Sequence, residues 1–287
     1  MNKTNTIGSL YRSLTKELTF SKISNPNLEA RILLAHVAGI DQTRVIGYPE
    51  TELDEPIISD LEKIVTRRQT GEPIAYITGA KEFWSLNFNV TQETLIPRPD
   101  SETIIESVLD TINNKSDNLS ILDLGTGSGC LLLALLSELP NAKGLGIDIS
   151  RRACKVARKN AEELGLSNRA KFDQGDWMEG IQNQFDIIIS NPPYIADQDI
   201  KFLQTDVKLF EPHLALSGGP DGLSAYRSII KESVSRLKFT GVLAVEIGIN
   251  QARSVRKILN ENNLKIIKIE RDISNIERCI LATVRNS

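Results

Sequence analysis

The chain has 287 residues, 40% hydrophobic and 25% charged, an ordinary globular balance with room for two domains, and its net charge of −3 gives no global attraction to nucleic acid. Three scattered cysteines (Cys130, Cys154 and Cys279) without a CxxC pair, and only two histidines (His36 and His213), argue against disulfides and against a bound metal; buried thiols in a reducing cytosol are expected. No apolar run approaches the length of a membrane span and the opening MNKTNTIGSLYRS lacks a signal-peptide core, so a cytoplasmic location away from the membrane is expected.

Residues 1 to about 80 read as helical. Leu28, Ile32, Leu33, His36 and Val37 recur at helical spacing, with Pro26 and Asn27 as entry and Gly39 as exit. Leu53, Ile57, Ile58, Leu61 and Ile64 repeat the pattern, which closes on Arg67, Arg68 and Gly71. Strands do not interrupt it, so a small helical bundle is expected, with Arg67 and Arg68 solvated in a last turn where the helix dipole favours cations. From Phe83 to Val90, large apolar and small polar residues alternate, as in the strands of a hairpin joining two domains. Ile96-Pro97-Arg98-Pro99-Asp100-Ser101-Glu102 then opens a helix; Asp100 or Ser101 suits its cap, and Arg98, held extended between prolines, is a candidate to face a site.

Beyond residue 119 strand and helix alternate. Strands are expected at 120–124, 143–147, 170–173, 185–190 and 241–246, and helices after Gly129 and over 151–164, 224–237 and 251–260. The last two strands, about 265–269 and 279–284, leave no room for a helix between them and should form an antiparallel hairpin. The fold class is therefore α/β, a doubly wound sheet with an antiparallel end.

Within this alternation, Phe185 to Tyr194 reads FDIIISNPPY. Three consecutive isoleucines suit a strand buried on both faces, and two prolines end it, because neither has an N–H for the ladder. Ligands of open α/β sheets bind beyond the carboxyl ends of strands, where Asn191, Pro192, Pro193 and Tyr194 would lie. The turn is rich in acceptors and poor in donors, Asn191 adds a side-chain carbonyl, and Tyr194 brings a flat ring. That combination fits a substrate NH₂ group, although Asn-Pro is also a common turn starter.

A second stretch, ILDLGTGSG at 121–129, runs a strand into a glycine turn and a helix. Gly125, Thr126, Gly127, Ser128 and Gly129 follow a GxGxG spacing and not GxGxxG, which argues against a dinucleotide. Asp148 ends the next strand, where a carboxylate can accept ribose hydroxyls, or else cap the following helix. Asp176 and Trp177 follow the third strand with a carboxylate and an aromatic face suited to adenine. Three such features on successive strand ends point to a nucleoside.

ILDLGTGSG with Asp148, Asp176-Trp177 and NPPY resembles the class I S-adenosylmethionine-dependent methyltransferases, whose fold is Rossmann-like. GEPIAYITGAKEFWSLNFNV at 71–90, LIPRPDSE at 95–102 and EPHLALSGGPDGL at 211–223 narrow the resemblance to the HemK/PrmC family, the N5-glutamine methyltransferases of peptide chain release factors. The family pattern commonly has Thr where this chain has Ser101. The resemblance implies a helical substrate-recognition domain over 1–80, a β-hairpin linker over 81–96 and a methyltransferase domain over 97–287. It implies S-adenosyl-L-methionine as cofactor, held by Gly125 to Gly129, Asp148, Asp176, Trp177 and Asn191, and a substrate glutamine held by Asn191 to Tyr194. The expected partner is a release factor, met by a monomer, with no direct contact to nucleic acid. On the expected mechanism, the Asn191 side chain and the Pro192 carbonyl each accept one N–H of the target while Tyr194 packs against the amide plane. The alternatives are a glutamine methyltransferase of a ribosomal protein, an adenine-N6 methyltransferase of nucleic acid and a non-catalytic binding module; the chain has no strongly basic domain, which weighs against the second.

Overall fold

A computed structural model describes residues 5–285. Two compact units make up the chain: Met1–Gly79 with Thr205–Phe210, and Ala80–Gln204 with Glu211–Ser287. Among the described residues no helix is long and apolar enough to cross a membrane.

The first unit is helical, with α1 (Ile7–Phe20), α2 (Pro26–Ala38), α3 (Gln42–Gly47), α4 (Glu55–Gln69) and α5 (Ile74–Thr78). Proline sits in the first turn of both α2 and α4, where a missing N–H costs no hydrogen bond, and Gly39 ends α2 in the left-handed conformation. Leu14, Leu18, Leu33, Leu34, Val45, Leu61 and Val65 form its core. Arg68 is not solvated: it is buried and forks onto Glu29 of α2 at 2.5 and 3.2 Å, while Arg67 forks onto Glu72. Packing α4 on α2 sets the cationic last turn of one against the acidic first turn of the other.

The second unit begins with a hairpin of β1 (Ala80–Phe83) and β2 (Leu86–Asn89), paired antiparallel and separate from the main sheet. Its turn is Trp84-Ser85, both left-handed at φ 52° and 57°, so the strand expected to run on from Phe83 is broken by a two-residue turn. Phe83 and Phe88 drop edge-to-face into the core, with ring centroids 6.3 Å apart.

The main sheet holds β3 (Ser120–Leu124), β4 (Lys143–Asp148), β5 (Ala170–Gln174), β6 (Phe185–Ser190), β7 (Leu237–Glu246), β8 (Leu264–Arg271) and β9 (Glu277–Val284), in the order β5-β4-β3-β6-β7-β9-β8. Pairing is parallel from β5 through β7, and β9 runs antiparallel to both β7 and β8. One face packs against α6 (Glu102–Leu109), α7 (Cys130–Glu138) and α8 (Arg151–Glu163), the other against α11 (Ser224–Arg236) and α12 (Ala252–Glu261). The short α9 (Thr205–Phe210) and α10 (His213–Leu216) precede α11. Ile187 and Ile189 of β6 enter the first layer and Ile188 the second, which is why this strand is apolar throughout. Chain order reverses between β3 and β6, and such a reversal opens a crevice at the carboxyl ends of the strands.

Candidate active site

That crevice holds a cavity of about 310 Å³, at the lower end of small-molecule sites. Its walls are the loops after β3, β4, β5 and β6, with residues 93–101 and 212–215, so every lining residue belongs to the second unit.

The glycine loop is built from backbone. Gly125 and Thr126 both donate N–H to the Ile147 carbonyl, at 2.9 and 3.0 Å, and the Thr126 hydroxyl donates to Asp123 at 2.5 Å. Gly125 and Gly127 are left-handed, and a Cβ on either would meet nothing closer than the Trp177 ring at 3.7 Å, so bare backbone faces open space. Gly129 differs. Buried, it would set a Cβ 3.2 Å from Ala157 and the Phe172 ring, and it is absent from the cavity wall; its bareness serves helix–sheet packing. Asn160, fully buried on α8, donates to the Ser128 carbonyl at 2.8 Å and holds the Asn89 backbone, tying the hairpin to the loop.

Asp148 accepts N–H bonds from Gly127 and Ser150, each at 2.8 Å, leaving lone pairs on both oxygens. Burial raises its pKa against those two bonds. It does not cap α8; Ser150 does, accepting from the Ala153 N–H at 3.1 Å. Asp176 is exposed on the rim and Trp177 half-buried beside it, left-handed at φ 47°.

The turn after β6 is held from several sides. Ser190 donates to the Leu124 carbonyl at 2.7 Å, locking the ends of β6 and β3 together. Asn191 and Pro193 line the cavity; Pro192 is buried, and neither it nor Tyr194 reaches the wall. The Asn191 amide nitrogen donates to Ser101 Oγ at 3.1 Å, the Ser101 hydroxyl to Glu246 Oε2 at 2.6 Å, and the Tyr194 hydroxyl to Glu246 Oε1 at 3.2 Å. Ser101 takes the N-cap position of α6 but makes no side-chain cap bond there, its hydroxyl being turned to Glu246, and Asp100 pairs with Arg278 at 3.2 Å. Glu246 is 1% exposed, and burial pushes its pKa up to about 7 against its Ser101 hydrogen bond and the charge of Arg278. Burial, with the Glu246 charge, raises the Tyr194 phenol as well. Gln251 donates to the Tyr194 carbonyl at 2.9 Å. Arg98 does line the cavity, and it is ion-paired with buried Glu211, which also accepts from the Ile96 N–H.

Residues 115–265 match the family described as Methyltransferase domain, and residues 9–79 that described as PrmC N-terminal domain. The chain is 42% identical over 93% of its length to a release factor glutamine methyltransferase of Rhodospirillum rubrum, covering 82% of that protein. A release factor glutamine methyltransferase of Caulobacter vibrioides is 41% identical, with 90% of each chain covered. The chain belongs to the release factor glutamine methyltransferase family. A methyltransferase of Pyrococcus furiosus shares the fold at 15% identity, with a TM-score of 0.52 over 78% of this chain and 98% of the other.

For this member of the family, then, sequence reasoning and geometry coincide at Gly125 to Ser128, Asp148, Asp176, Trp177, Asn191 and Pro193, which share one cavity. Ser101 as a partner of Asn191, Glu246, and the Arg98–Glu211 pair were missed. Glu246 carried a usable signal, since it closes a strand as Asp148 does.

Proposed function

We propose that this chain transfers a methyl group from S-adenosyl-L-methionine to the side-chain amide nitrogen of the glutamine in the Gly-Gly-Gln motif of peptide chain release factors. The observation that carries the reading is an acceptor-rich Asn191-Pro192-Pro193-Tyr194 turn at the rim of the β3/β6 crevice, in a chain 42% identical to a release factor glutamine methyltransferase.

The cavity fits the cofactor. Bare backbone at Gly125 and Gly127, free lone pairs on Asp148 and the Trp177 ring supply a close approach, acceptors for ribose hydroxyls and an aromatic face. Thr126, Ser128, Gly129, Asp176 and Asn191 complete the set that would hold it, Gly129 through packing behind the loop. The cofactor brings a methyl group already activated by a positive sulfur. Asn191 Oδ1, at the cavity wall, accepts one N–H of the target amide, and the Pro192 carbonyl, which lies behind that wall beside cavity-lining Pro193 and is uncovered as the amide enters, accepts the other, fixing the nitrogen. An amide lone pair is delocalised and poorly nucleophilic, so alignment supplies most of the effect; well-oriented reactants gain roughly 7–11 kcal/mol. Tyr194, pinned through its hydroxyl behind the cavity wall, would pack its ring against the amide plane once the substrate has entered the turn.

The test is labelled-methyl transfer from S-adenosyl-L-methionine to purified release factors, ribosomal proteins and nucleic acid, run side by side. Label on the release factor is expected. Label confined to nucleic acid or to a ribosomal protein would overturn the substrate assignment.

A further inference from the structure

A carboxamide has two ends of similar shape and opposite chemistry. If Asn191 turns its oxygen to the cavity it accepts a substrate N–H; if it turns its NH₂ there it repels one. Three contacts, one buried and two part-buried, bear on that choice. Ser101, 3% exposed, carries one hydroxyl proton, and its Oγ lies 2.6 Å from Glu246 Oε2 and 3.1 Å from Asn191 Nδ2. An ionised Glu246 only accepts, so the Ser101 proton goes to it and Ser101 has only lone pairs left for Asn191. Only the NH₂ end of Asn191 can donate to those lone pairs. Tyr194 supplies the second donor to Glu246 at 3.2 Å. Asn191 Oδ1, which makes no hydrogen bond among the described residues, is thereby left to the cavity that Asn191 lines.

We infer that Ser101 and Glu246 are positioning residues that fix the orientation of the Asn191 carboxamide, so that the turn admits a nitrogen bearing N–H and excludes an acceptor. The inference rests on the amide-nitrogen substrate proposed above and adds what selects it. Neither residue touches the substrate amide in this scheme; both act through Asn191.

The relay depends on the charge of Glu246. Around it stand Tyr194 from the turn after β6, Asp100 from the turn before α6, Arg278 and Cys279 from β9, Cys130 at the start of α7 and Tyr226 of α11. Arg278 favours the carboxylate, Asp100 opposes it, and burial opposes it most, which brings the titration up to about 7. Once protonated, Glu246 donates to Ser101; the Ser101 proton is then free for Asn191 Oδ1, and the carboxamide reverses. Turnover should therefore be present above this pKa and fall as pH drops through it.

The experiment uses the full chain and its Ser101→Ala, Ser101→Thr and Glu246→Gln variants. It measures kcat and KM on a release factor, cofactor affinity by calorimetry, and the side-chain amide signals of Asn191 by nuclear magnetic resonance across about pH 5.5 to 8.5. Ser101→Ala and Glu246→Gln should each lower kcat about tenfold or more, with KM and cofactor affinity nearly unchanged, and Ser101→Thr should restore turnover. The Asn191 amide signals should titrate in the parent with a midpoint of about 7 and stay flat in Glu246→Gln. A Ser101→Thr variant as slow as Ser101→Ala, parent-like kcat in Ser101→Ala and Glu246→Gln, or Asn191 signals that ignore Glu246 would each overturn the relay. A parent that labels no release factor would sink the substrate assignment instead, and the magnetic resonance arm would still decide the relay.

Discussion

Burying Glu246 destabilises the fold whenever its carboxylate is ionised, because a charge 1% exposed has lost its water and Arg278 and two hydroxyl donors only partly replace it. Its pKa rises from 4.5 to about 7, so the folded chain binds a proton more readily than the unfolded one. The stability this gives is fully present below the unfolded value and is lost as pH rises through about 7. At about 1.4 kcal/mol per pH unit, the loss is on the order of 3 kcal/mol. Asp123 is also driven up to about 7 by burial, so the parent alone does not isolate Glu246. Glu246→Gln does: the variant should match the parent near pH 5 and be more stable, by a few kcal/mol, near pH 8 in denaturant unfolding. A difference that does not vary with pH would contradict the assignment. The ionised form is the one the Asn191 relay requires, so this site gives up stability for function.

The elements that carry the site were legible wherever one local rule decided them. β3 and β6 read as short apolar runs because both faces are buried, and β8 and β9 read as a hairpin because too few residues separate them for a helix. The glycine turn after β3 and the double proline after β6 announced strand ends by backbone chemistry alone. What stayed hidden depends on tertiary company. Trp84 and Ser85 read as strand because aromatic residues favour pleated surfaces, yet they form the hairpin turn with both backbones left-handed. Gly125, Gly127 and Gly129 look equivalent in the sequence; only the packing of Ala157 and Phe172 behind Gly129 separates a cradle glycine from a structural one. Arg68 looked solvated because its partner, Glu29, lies on another helix. Ser101 and Glu246 are 145 residues apart and meet only because α6, which Ser101 opens, packs against β7, which Glu246 ends.

At the scale of the whole molecule, the division of labour follows from where the cavity is built. All of its lining residues lie in the second unit, so cofactor binding is expected not to need residues 1–79. A release factor is large, and the helical unit is the natural candidate for the contacts that hold it. Removing residues 1–79 should raise KM for intact release factor well above the parent value while leaving calorimetric affinity for S-adenosyl-L-methionine close to it. Parent-like catalytic efficiency on the intact factor would assign the helices another role. Methylation of one glutamine nitrogen by a turn that accepts its two N–H groups is read out by tandem mass spectrometry of a release factor incubated with the chain and S-adenosyl-L-methionine. A single added methyl group on the Gly-Gly-Gln glutamine is expected, and its loss with Asn191→Ala under conditions where that variant still binds cofactor. A methyl group on any other residue, or undiminished glutamine methylation by Asn191→Ala, would contradict it.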